Sequence, residues 1–263
     1  QTDQKSYMAE RLKPKLIKHL DQARNSFSET EKQALNQLKK WNALYSKESV
    51  AALIFEQFYI EIAKSLANDE FGDTLITRFL NHDILVRNLI NKTFQDRDNK
   101  WIDNVTTDKK ESFNDLIISS FQSAVKSLKD KHGDKINQWS WGKVHTLSLK
   151  HPLGRKKILD RIFQLNRGPF QVGGSYHTVC PYSYSLGHPY KANHGASHRQ
   201  IYNLANWDNS WSIIPTGNSG IPASKHYCDQ TDLYISKKYH KDYFSKDKCI
   251  QTSKYKMTFQ PKK

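Results

Sequence analysis

The chain has 263 residues, of which 37% are hydrophobic, and it carries a formal net charge of +15 at pH 7. That length and apolar content are sufficient for a buried core in one large or two small domains. Because no run approaches the roughly 18 consecutive apolar residues of a membrane span, we expect no membrane insertion.

Three short features predict helices in the first half, and a fourth predicts a surface segment between them. Ser28 and Glu31 have the spacing of a capping box, which predicts that a helix begins there. A polar stretch at 96–110 predicts a surface excursion. Apolar residues at helical spacing predict one buried face over 49–67 and a second helix from Phe113: Val50, Ile54, Phe58, Ile62 and Leu66, then Phe113, Ile117, Phe121 and Val125.

The composition changes near Gly133. Beyond it, short β-type runs alternate with turn clusters, so we divide the chain into a mainly helical lobe, 1–132, and a β-rich segment, 133–263. Helices followed by strands predict an α+β fold. The predicted strands are 170–172, 176–179, 198–204, 210–214 and 256–259; a loop at 215–222 follows the fourth, and a helix is predicted to open at Ala223-Ser224.

Five short motifs follow one another in this second half. In chain order they are Trp139-Ser-Trp141-Gly-Lys-Val-His145 with His151-Pro-Leu-Gly154, Asn166-Arg-Gly-Pro169 with Gly173-Gly174, Gly195-Ala-Ser197-His-Arg199, Pro215-Thr-Gly217-Asn-Ser-Gly220, and His226-Tyr-Cys-Asp229-Gln230. In residues and in order they resemble the penicillin amidase (penicillin acylase) family of N-terminal-nucleophile hydrolases. Cys180 and Asn203 depart from the family's pattern, since polar and acidic residues are expected there.

The resemblance implies the four-layer αββα sandwich of N-terminal-nucleophile hydrolases and a reaction that cleaves linear amide bonds. In that fold the helical lobe, followed by several antiparallel strands, would be part of one larger catalytic domain. The expected substrates are small N-acyl amides such as β-lactam side chains or acyl homoserine lactones. It also implies a periplasmic or secreted enzyme made as a zymogen, with a role in antibiotic metabolism among the possibilities.

The family's nucleophile is the first residue of its β chain, whereas this chain begins with Gln1, whose amide cannot attack a carbonyl as Ser, Thr or Cys does. We therefore expect the C-terminal half of a β chain, inactive alone and with no catalytic residue of its own. Its expected partners are the upstream half of that chain and an α chain from the same precursor. Calcium is implied for the upstream part only, and we expect no cofactor, metal or nucleic acid here.

The last motif holds the residues that most invite a catalytic interpretation. A triad of Ser219, His226 and Asp229 can be drawn, but no G-x-S-x-G elbow supports it. We interpret the cluster instead as a loop anchor, in which Asp229 caps backbone N–H groups or pairs with a cation such as Arg199.

The cysteines and lysines leave two further alternatives. Cys180, Cys228 and Cys249 form no C-x-x-C pair, so neither a zinc site nor a disulfide framework is expected. Residues 234–263 carry nine Lys against two Asp, interleaved with Tyr and Phe. This pattern is compatible with a nucleic-acid surface, so a non-catalytic basic module that binds nucleic acid or anionic surfaces is the alternative function.

Overall fold

The computed structural model describes residues 3–261, so Gln1 lies outside the described residues. Helices dominate the first half and short strands the second, which confirms the α+β class. The helices are α1 Tyr7–Gln22, α2 Glu29–Lys40, α3 Val50–Ser65, α4 Asn68–Leu80, α5 Asp83–Gln95, α6 Phe113–His132, α7 Trp141–Val144, α8 Lys157–Phe163, α9 Thr231–Ile235 and α10 Lys246–Thr252. The strands are β1 Thr146–Leu149, β2 Arg167–Gln171, β3 Lys191–Ala192, β4 Arg199–Ile201, β5 Ser210–Ile213 and β6 His240–Asp242.

Side-chain caps fix where the main helices begin. Ser28 and Glu31 form the predicted capping box at α2, each side chain bonding the other's backbone N–H. Ser112 and Asp115 form a second box at α6, and the Ser49 hydroxyl accepts from Ala52 N at 3.1 Å at the start of α3. These caps satisfy backbone donors that the first turn of a helix leaves unpaired.

Helix α3 is buried on every side, whereas the sequence predicted one buried face. Twelve of its 16 residues are buried, including Glu56 and Gln57. The helix packs against α2, α4, α5 and α6, so it has no continuous solvent face, and its partly exposed residues are confined to its two ends: Val50, Glu61, Lys64 and Ser65. The prediction was too narrow because α4 and α5 were not anticipated from the sequence.

The strands form two three-stranded sheets, in the orders β2-β1-β3 and β4-β5-β6. Strand β5 pairs antiparallel with both neighbours, placing Arg199 opposite Ile213 and Ser210 opposite Asp242. This confirms the predicted antiparallel arrangement for the second sheet. In the first sheet, β1 and β3 are parallel, with Thr146 opposite Lys191, a pairing that the sequence did not predict.

Three local predictions differ from the structure. Residues 176–179 form a turn, because Thr178 Oγ1 bonds to the carbonyls of Ser175 and Cys180. The segment 256–259 is exposed and has no regular structure, since no neighbouring strand satisfies its backbone. At Ala223-Ser224 there is a turn, and the next helix, α9, begins at Thr231.

The chain divides into two compact units, Gln1–Ser148 with Gly168–Gly195 and Leu149–Arg167 with Ala196–Lys263. The first unit holds the large hydrophobic core, built from α1, α2, α3 and α6 with Trp139 and Trp141. The second holds α8, α9, α10 and the antiparallel sheet. Within the described part of the chain, no helix is long and apolar enough to cross a membrane. The division at 132, which concerns a larger domain, stays a prediction.

Candidate functional site

In the second unit, His226 and Asp229 form the pair that the sequence singled out. The Nδ1 atom of His226 lies 2.7 Å from Oδ2 of Asp229, and both side chains are substantially exposed. If the imidazole donates through Nδ1, its Nε2 atom is left to face solvent as an acceptor. A carboxylate that orients a histidine in this way is one part of a hydrolytic triad.

The nucleophile of such a triad is not in place. Ser219 donates its backbone N–H to the carbonyl of His226 at 3.1 Å, while its hydroxyl accepts from Ile221 N at 3.1 Å. The bonds described for Ser219 therefore hold the loop in shape and give its hydroxyl no base. This arrangement supports the structural interpretation of the cluster.

The last motif anchors the loop at 214–220. The Gln230 side chain accepts from Ile214 N at 3.1 Å, and its backbone N–H donates to the carbonyl of Thr216 at 2.9 Å. A side chain at Gly217 would meet the Asp229 carboxylate and the His226 carbonyl. Gln230 therefore holds the start of the loop, and the bond from Ser219 N to the His226 carbonyl holds its other end.

Arg199 contacts a different group from the one proposed for it. Its guanidinium donates to the carbonyl of Tyr234 at 3.0 Å and lies 3.9 Å from the centre of that ring. The Tyr234 hydroxyl donates to the carbonyl of Ala196 at 2.7 Å, which ties the Gly195 to Arg199 motif to α9. A pairing of Arg199 with Asp229 stays a prediction.

Asn166 joins two of the motifs in the second unit. Its Oδ1 atom accepts from His151 N at 2.9 Å, and its Nδ2 donates to the carbonyl of Gly154 at 3.0 Å. A side chain at Gly154 would collide with the Asn166 amide. The glycine is therefore required by the close approach of Asn166.

Arg167, next in the chain, connects this pair of motifs to the last one. Its Nε lies 3.1 Å from Sγ of Cys228, and its guanidinium lies 5.3 Å from the centre of the Tyr227 ring. The Tyr227 hydroxyl donates to the carbonyl of Leu165 at 2.7 Å. Three of the motifs in this unit are thus linked through polar side chains.

In the first unit, the motif from Trp139 to His145 is part of the core. Trp141 is fully buried, donates from Nε1 to the carbonyl of Gly174 at 2.8 Å, and stacks on the His145 ring at 4.5 Å. The His145 Nδ1 lies 2.8 Å from the carbonyl of Tyr190, so Nδ1 carries the proton. Burial lowers the pKa of His145 to about 4, against that hydrogen bond, so the ring is neutral at pH 7.

A buried polar cluster, which we call the Glu56 cluster, lies beside this motif. Glu56 is fully buried and accepts from the Tyr45 hydroxyl at 2.7 Å. Burial raises its pKa to about 7, and the nearby hydroxyls of Tyr184 and Tyr45 oppose that rise. The Tyr184 hydroxyl is close enough to influence the carboxyl but makes no hydrogen bond of ordinary geometry within the described residues.

The same cluster includes neutral rings that form a continuous aromatic path. The Tyr184 ring lies 5.5 Å from His145 and 5.3 Å from Tyr176, and Tyr176 lies against His177. Burial raises the pKa of Tyr176 and of Tyr184 well above the usual value, with the charge of Glu56 adding to the effect. Burial, assisted by the charge of Arg87, lowers the pKa of His177 to about 3.

Several polar atoms of the Glu56 cluster lack a protein partner among the described residues: Glu56 Oε1, His145 Nε2, Tyr176 OH, His177 Nε2 and Tyr184 OH. Such groups are costly to bury unless they are hydrogen-bonded. Chemically, the cluster can take up or release a proton at Glu56 near pH 7. Its members are nevertheless enclosed, so it resembles an internal network more than a substrate site.

Sequence reasoning missed the Glu56 cluster, although one signal was present. Glu56 and Gln57 interrupt an otherwise apolar helix between Phe55 and Phe58. Charged residues are almost never fully buried unless they are paired, so a helix that proves buried on all sides identifies such a Glu as unusual. The tyrosine partners come from distant segments and could not be assigned from spacing.

The described residues contain no group of three or more His, Cys, Asp or Glu side chains arranged to bind a metal ion. Cys180 is buried, Cys228 and Cys249 are partly exposed, and all three are thiols. The expectation of calcium concerns a part of the protein outside this chain and is not tested.

A family model described as penicillin amidase matches residues 1–251. Acyl-homoserine lactone acylase QuiP of Pseudomonas fluorescens is 24% identical over 252 residues, covering 91% of this chain and 30% of that protein. The enzyme of the same name from Pseudomonas syringae pv. syringae is 26% identical over 261 residues, with the same shares covered. Penicillin acylase 2 proenzyme of a Pseudomonas species is 34% identical over 90 residues, covering 34% of this chain and 12% of that protein.

Among solved structures, a thermostable penicillin G acylase from Alcaligenes faecalis matches with a TM-score of 0.48 at 15% identity. That match covers 94% of this chain and 46% of the other. The chain spans about 30% of the length of the acyl-homoserine lactone acylases it matches.

Proposed function

The chain belongs to the penicillin amidase family, and from that premise we propose that it is part of an enzyme that hydrolyses linear N-acyl amides. The observation that carries the proposal is the extent of the family match, which includes all but the C-terminal tail. The motifs support it because they are held in specific contacts, such as the bonds from Asn166 to His151 and Gly154.

N-acyl homoserine lactones are the substrate class we propose first. The relatives that match 91% of this chain are named acyl-homoserine lactone acylases, whereas the penicillin acylase match is confined to 34% of it. The acyl side-chain amide of a β-lactam is the second candidate. In both substrates the scissile bond joins an acyl carbon to an amine nitrogen.

The family resemblance implies how that bond breaks. An N-terminal Ser hydroxyl attacks the acyl carbonyl while its own α-amine takes the proton, and the proton then passes to the departing amine nitrogen as the C–N bond breaks. Water next hydrolyses the acyl ester, releasing the carboxylic acid and restoring the Ser. Donors positioned at the oxyanion stabilise both tetrahedral intermediates.

We propose that this chain supplies scaffold and part of the acyl-pocket wall, and that the nucleophile lies elsewhere in the complete protein. The short share of the relatives that it covers, 30%, supports this division. An upstream β-chain segment and an α chain from one precursor, calcium in the upstream part, and a periplasmic or secreted location belong to the same proposal. Alone, the 263-residue chain should be inactive.

The experiment is an assay of the complete, processed protein with N-decanoyl homoserine lactone and with phenylacetyl penicillin. Mass spectrometry measures the released homoserine lactone or penicillin nucleus. The expected result is release of the amine product with the lactone substrate, and less or none with the penicillin. The 263-residue chain, assayed in parallel, should release neither.

Two outcomes would contradict the proposal in different ways. Failure of the processed protein to cleave either amide would exclude the hydrolase function. Turnover by the 263-residue chain alone would show instead that the nucleophile lies within it.

A further inference from the structure

A cavity of about 400 Å³ opens in the first unit between α1, α3 and α5. This volume lies within the range of small-molecule sites, roughly 300–1,000 Å³. Eleven residues line it: Tyr7, Met8, Arg11, Leu12 and Lys15 from α1, Tyr59 from α3, and Arg87, Ile90, Asn91, Phe94 and Gln95 from α5. We call it the α1–α5 cavity.

The lining is arranged in layers of different polarity. Its deepest residues, Tyr59 and Ile90, are 2% and 1% exposed. Met8, Leu12 and Phe94 are half-buried and apolar, and they form the walls. The three cations, together with Asn91 and Gln95, are exposed at the rim. The cavity therefore combines a narrow apolar interior with a polar opening.

The charge of the lining is entirely positive. Arg11 and Lys15 lie one turn apart on α1, and Arg87 faces them from α5, whereas no Asp or Glu lines the cavity. The nearest acid on α5 is Asp83, whose Oδ2 lies 3.4 Å from Arg87 Nη2 at the surface. That pair is about half exposed, so it neutralises Arg87 only in part and leaves its remaining N–H donors available.

Tyr59 contributes its side chain, 2% exposed, to the interior of this cavity. Burial raises the pKa of its phenol, the charge of Glu56 adds to that rise, and the charge of Arg87 opposes it. Because Tyr59 and Arg87 line the same cavity, the hydroxyl and the guanidinium can both donate to one anionic group bound there.

We propose that the α1–α5 cavity binds a small anionic amphiphile, with a carboxylate at Arg87 and Tyr59 and a short aliphatic chain against Met8, Leu12 and Phe94. Arginine suits this role because its planar fork matches the two oxygens of a carboxylate. The apolar walls add affinity in proportion to the apolar area that the chain buries. The proposal does not depend on the hydrolytic activity.

A second cavity in the same unit shows why charge selects this one. The cavity beside α4, of about 530 Å³, is lined by Glu61, Asp69 and Asp73 with Lys64 as its cation. An anion there would meet more negative than positive side chains, and the wall is largely polar. Of the two cavities, the α1–α5 cavity is the one that combines a net positive charge with an apolar interior.

Isothermal titration calorimetry of the complete protein tests the proposal with three probes: octanoate, octanamide and acetate. Octanamide keeps the chain without the charge, and acetate keeps the charge without the chain. Octanoate should bind with a Kd about 10-fold lower than that of octanamide, since a charge-assisted hydrogen bond contributes roughly that factor. It should also bind more tightly than acetate, because only octanoate buries an aliphatic chain.

Substitutions at the rim and in the interior then locate the site. Arg87→Gln should raise the Kd for octanoate about 5- to 10-fold and leave octanamide unchanged. Tyr59→Phe, which keeps the ring in place, should raise the Kd for octanoate several-fold. Arg78→Gln is the matched control, because Arg78 is exposed on α4 and outside this cavity.

Three results would overturn the proposal. They are equal affinity for octanoate and octanamide, an equal effect of the substitutions at Arg87 and Arg78, or no saturable binding of octanoate by the complete protein. Unchanged melting temperatures of the variants would show that the comparison is between folded proteins. Because octanoate is also an acid product of the hydrolysis proposed above, the effects of Arg87→Gln and Tyr59→Phe, rather than octanoate binding alone, assign the site to the α1–α5 cavity; hydrolysis is assayed separately.

Discussion

Glu56 is an ionisable side chain enclosed within α3, where burial raises its pKa from 4.5 to about 7. His145 and His177 lie in the same interior with their pKa values lowered to about 4 and about 3. At neutral pH the histidines are uncharged, and Glu56 is close to half protonated. The first unit therefore has a stability that depends on pH through a few identified residues.

Replacement of Glu56 by Gln should remove one of these dependences. The unfolded chain releases the Glu56 proton near pH 4.5, while the folded state keeps it to about pH 7. The free energy of unfolding therefore decreases as the pH rises from 4.5 to about 7. Relative to Glu56→Gln, the wild type should lose ~3 kcal/mol over this interval. Urea unfolding across the interval measures the difference. Parallel curves would contradict the assignment, and Glu70→Gln, at an exposed acid, is the control.

His145 should act with the opposite sign. Its pKa falls from 6.5 to about 4 on folding, so its stabilising contribution is complete above pH 6.5 and is lost as the pH falls toward 4. Asn can retain the hydrogen bond to the Tyr190 carbonyl without titrating. As the pH falls through this window, the wild type should therefore lose ~3 kcal/mol relative to His145→Asn. His188→Asn, at an exposed histidine, is the matched control.

At the scale of elements, the helices begin at side-chain caps. Ser112 N donates to Asp115 Oδ2 at 3.0 Å, and Asp115 N donates to Ser112 Oγ at 3.2 Å. Both bonds are between residues three apart, so they form as soon as the first turn of α6 does. Because such bonds are local, the spacing of residues in the sequence is sufficient to predict where a helix such as α2 or α6 begins.

Ser112→Ala should destabilise the protein by about 1 kcal/mol, because the backbone N–H of Asp115 in the first turn of α6 loses its acceptor. Ser123→Ala is the matched control, since Ser123 is exposed in the interior of the same helix, where Ala is the better helix former. Thermal unfolding measures the effect: the melting temperature should be lower for Ser112→Ala and unchanged or slightly higher for Ser123→Ala. Equal effects of the two substitutions would show that the cap contributes nothing.

Gly154→Ala should destabilise the second unit by about 2 kcal/mol or more, since the new methyl group would overlap the Asn166 amide and displace two hydrogen bonds. Gly220→Ala provides the comparison, because no atom lies within 4 Å of a side chain placed there. Chemical denaturation measures both. A loss no larger for Gly154 than for Gly220 would mean that Asn166 can move aside.

At the scale of the whole molecule, the motifs have mainly structural contacts in both units. Trp141 and His145 lie in the core of the first unit, and the His226 to Gln230 segment holds a loop in the second. These are contacts that hold the fold together, and the proposal above places the nucleophile elsewhere in the complete protein. The effect of substituting these motif residues should therefore be measured in the complete protein.

Asp229→Ala in the complete protein should lower folding yield or precursor processing more than it lowers the turnover rate of the mature enzyme. The reason is that Asp229 orients His226 beside the loop at 214–220, and neither side chain has a described nucleophile to serve. Yield, the extent of processing and turnover are measured on the same preparation. Normal processing with lost turnover would refute this role. Asp247→Ala, at an exposed acid of α10, should alter none of the three.

The sequence by itself determined the features that depend on neighbouring residues. It predicted the cap at Ser28, helices α3 and α6, strand β5, the α+β class and the family, because these follow from local spacing and from motifs in order. It did not predict α4 and α5, since their apolar patterns are weaker and the burial of α3 depends on them.

Only the tertiary structure decided what surrounds each of these elements. The enclosure of Glu56 by Tyr45 and Tyr184, the contact of Asn166 with Gly154 and the parallel pairing of β1 with β3 all join residues far apart in the chain. Spacing along a sequence fixes which face of a helix is apolar, but the partner of that face is fixed by packing. The α1–α5 cavity is of this second kind, because three helices must meet before Arg87 and Tyr59 can face the same space.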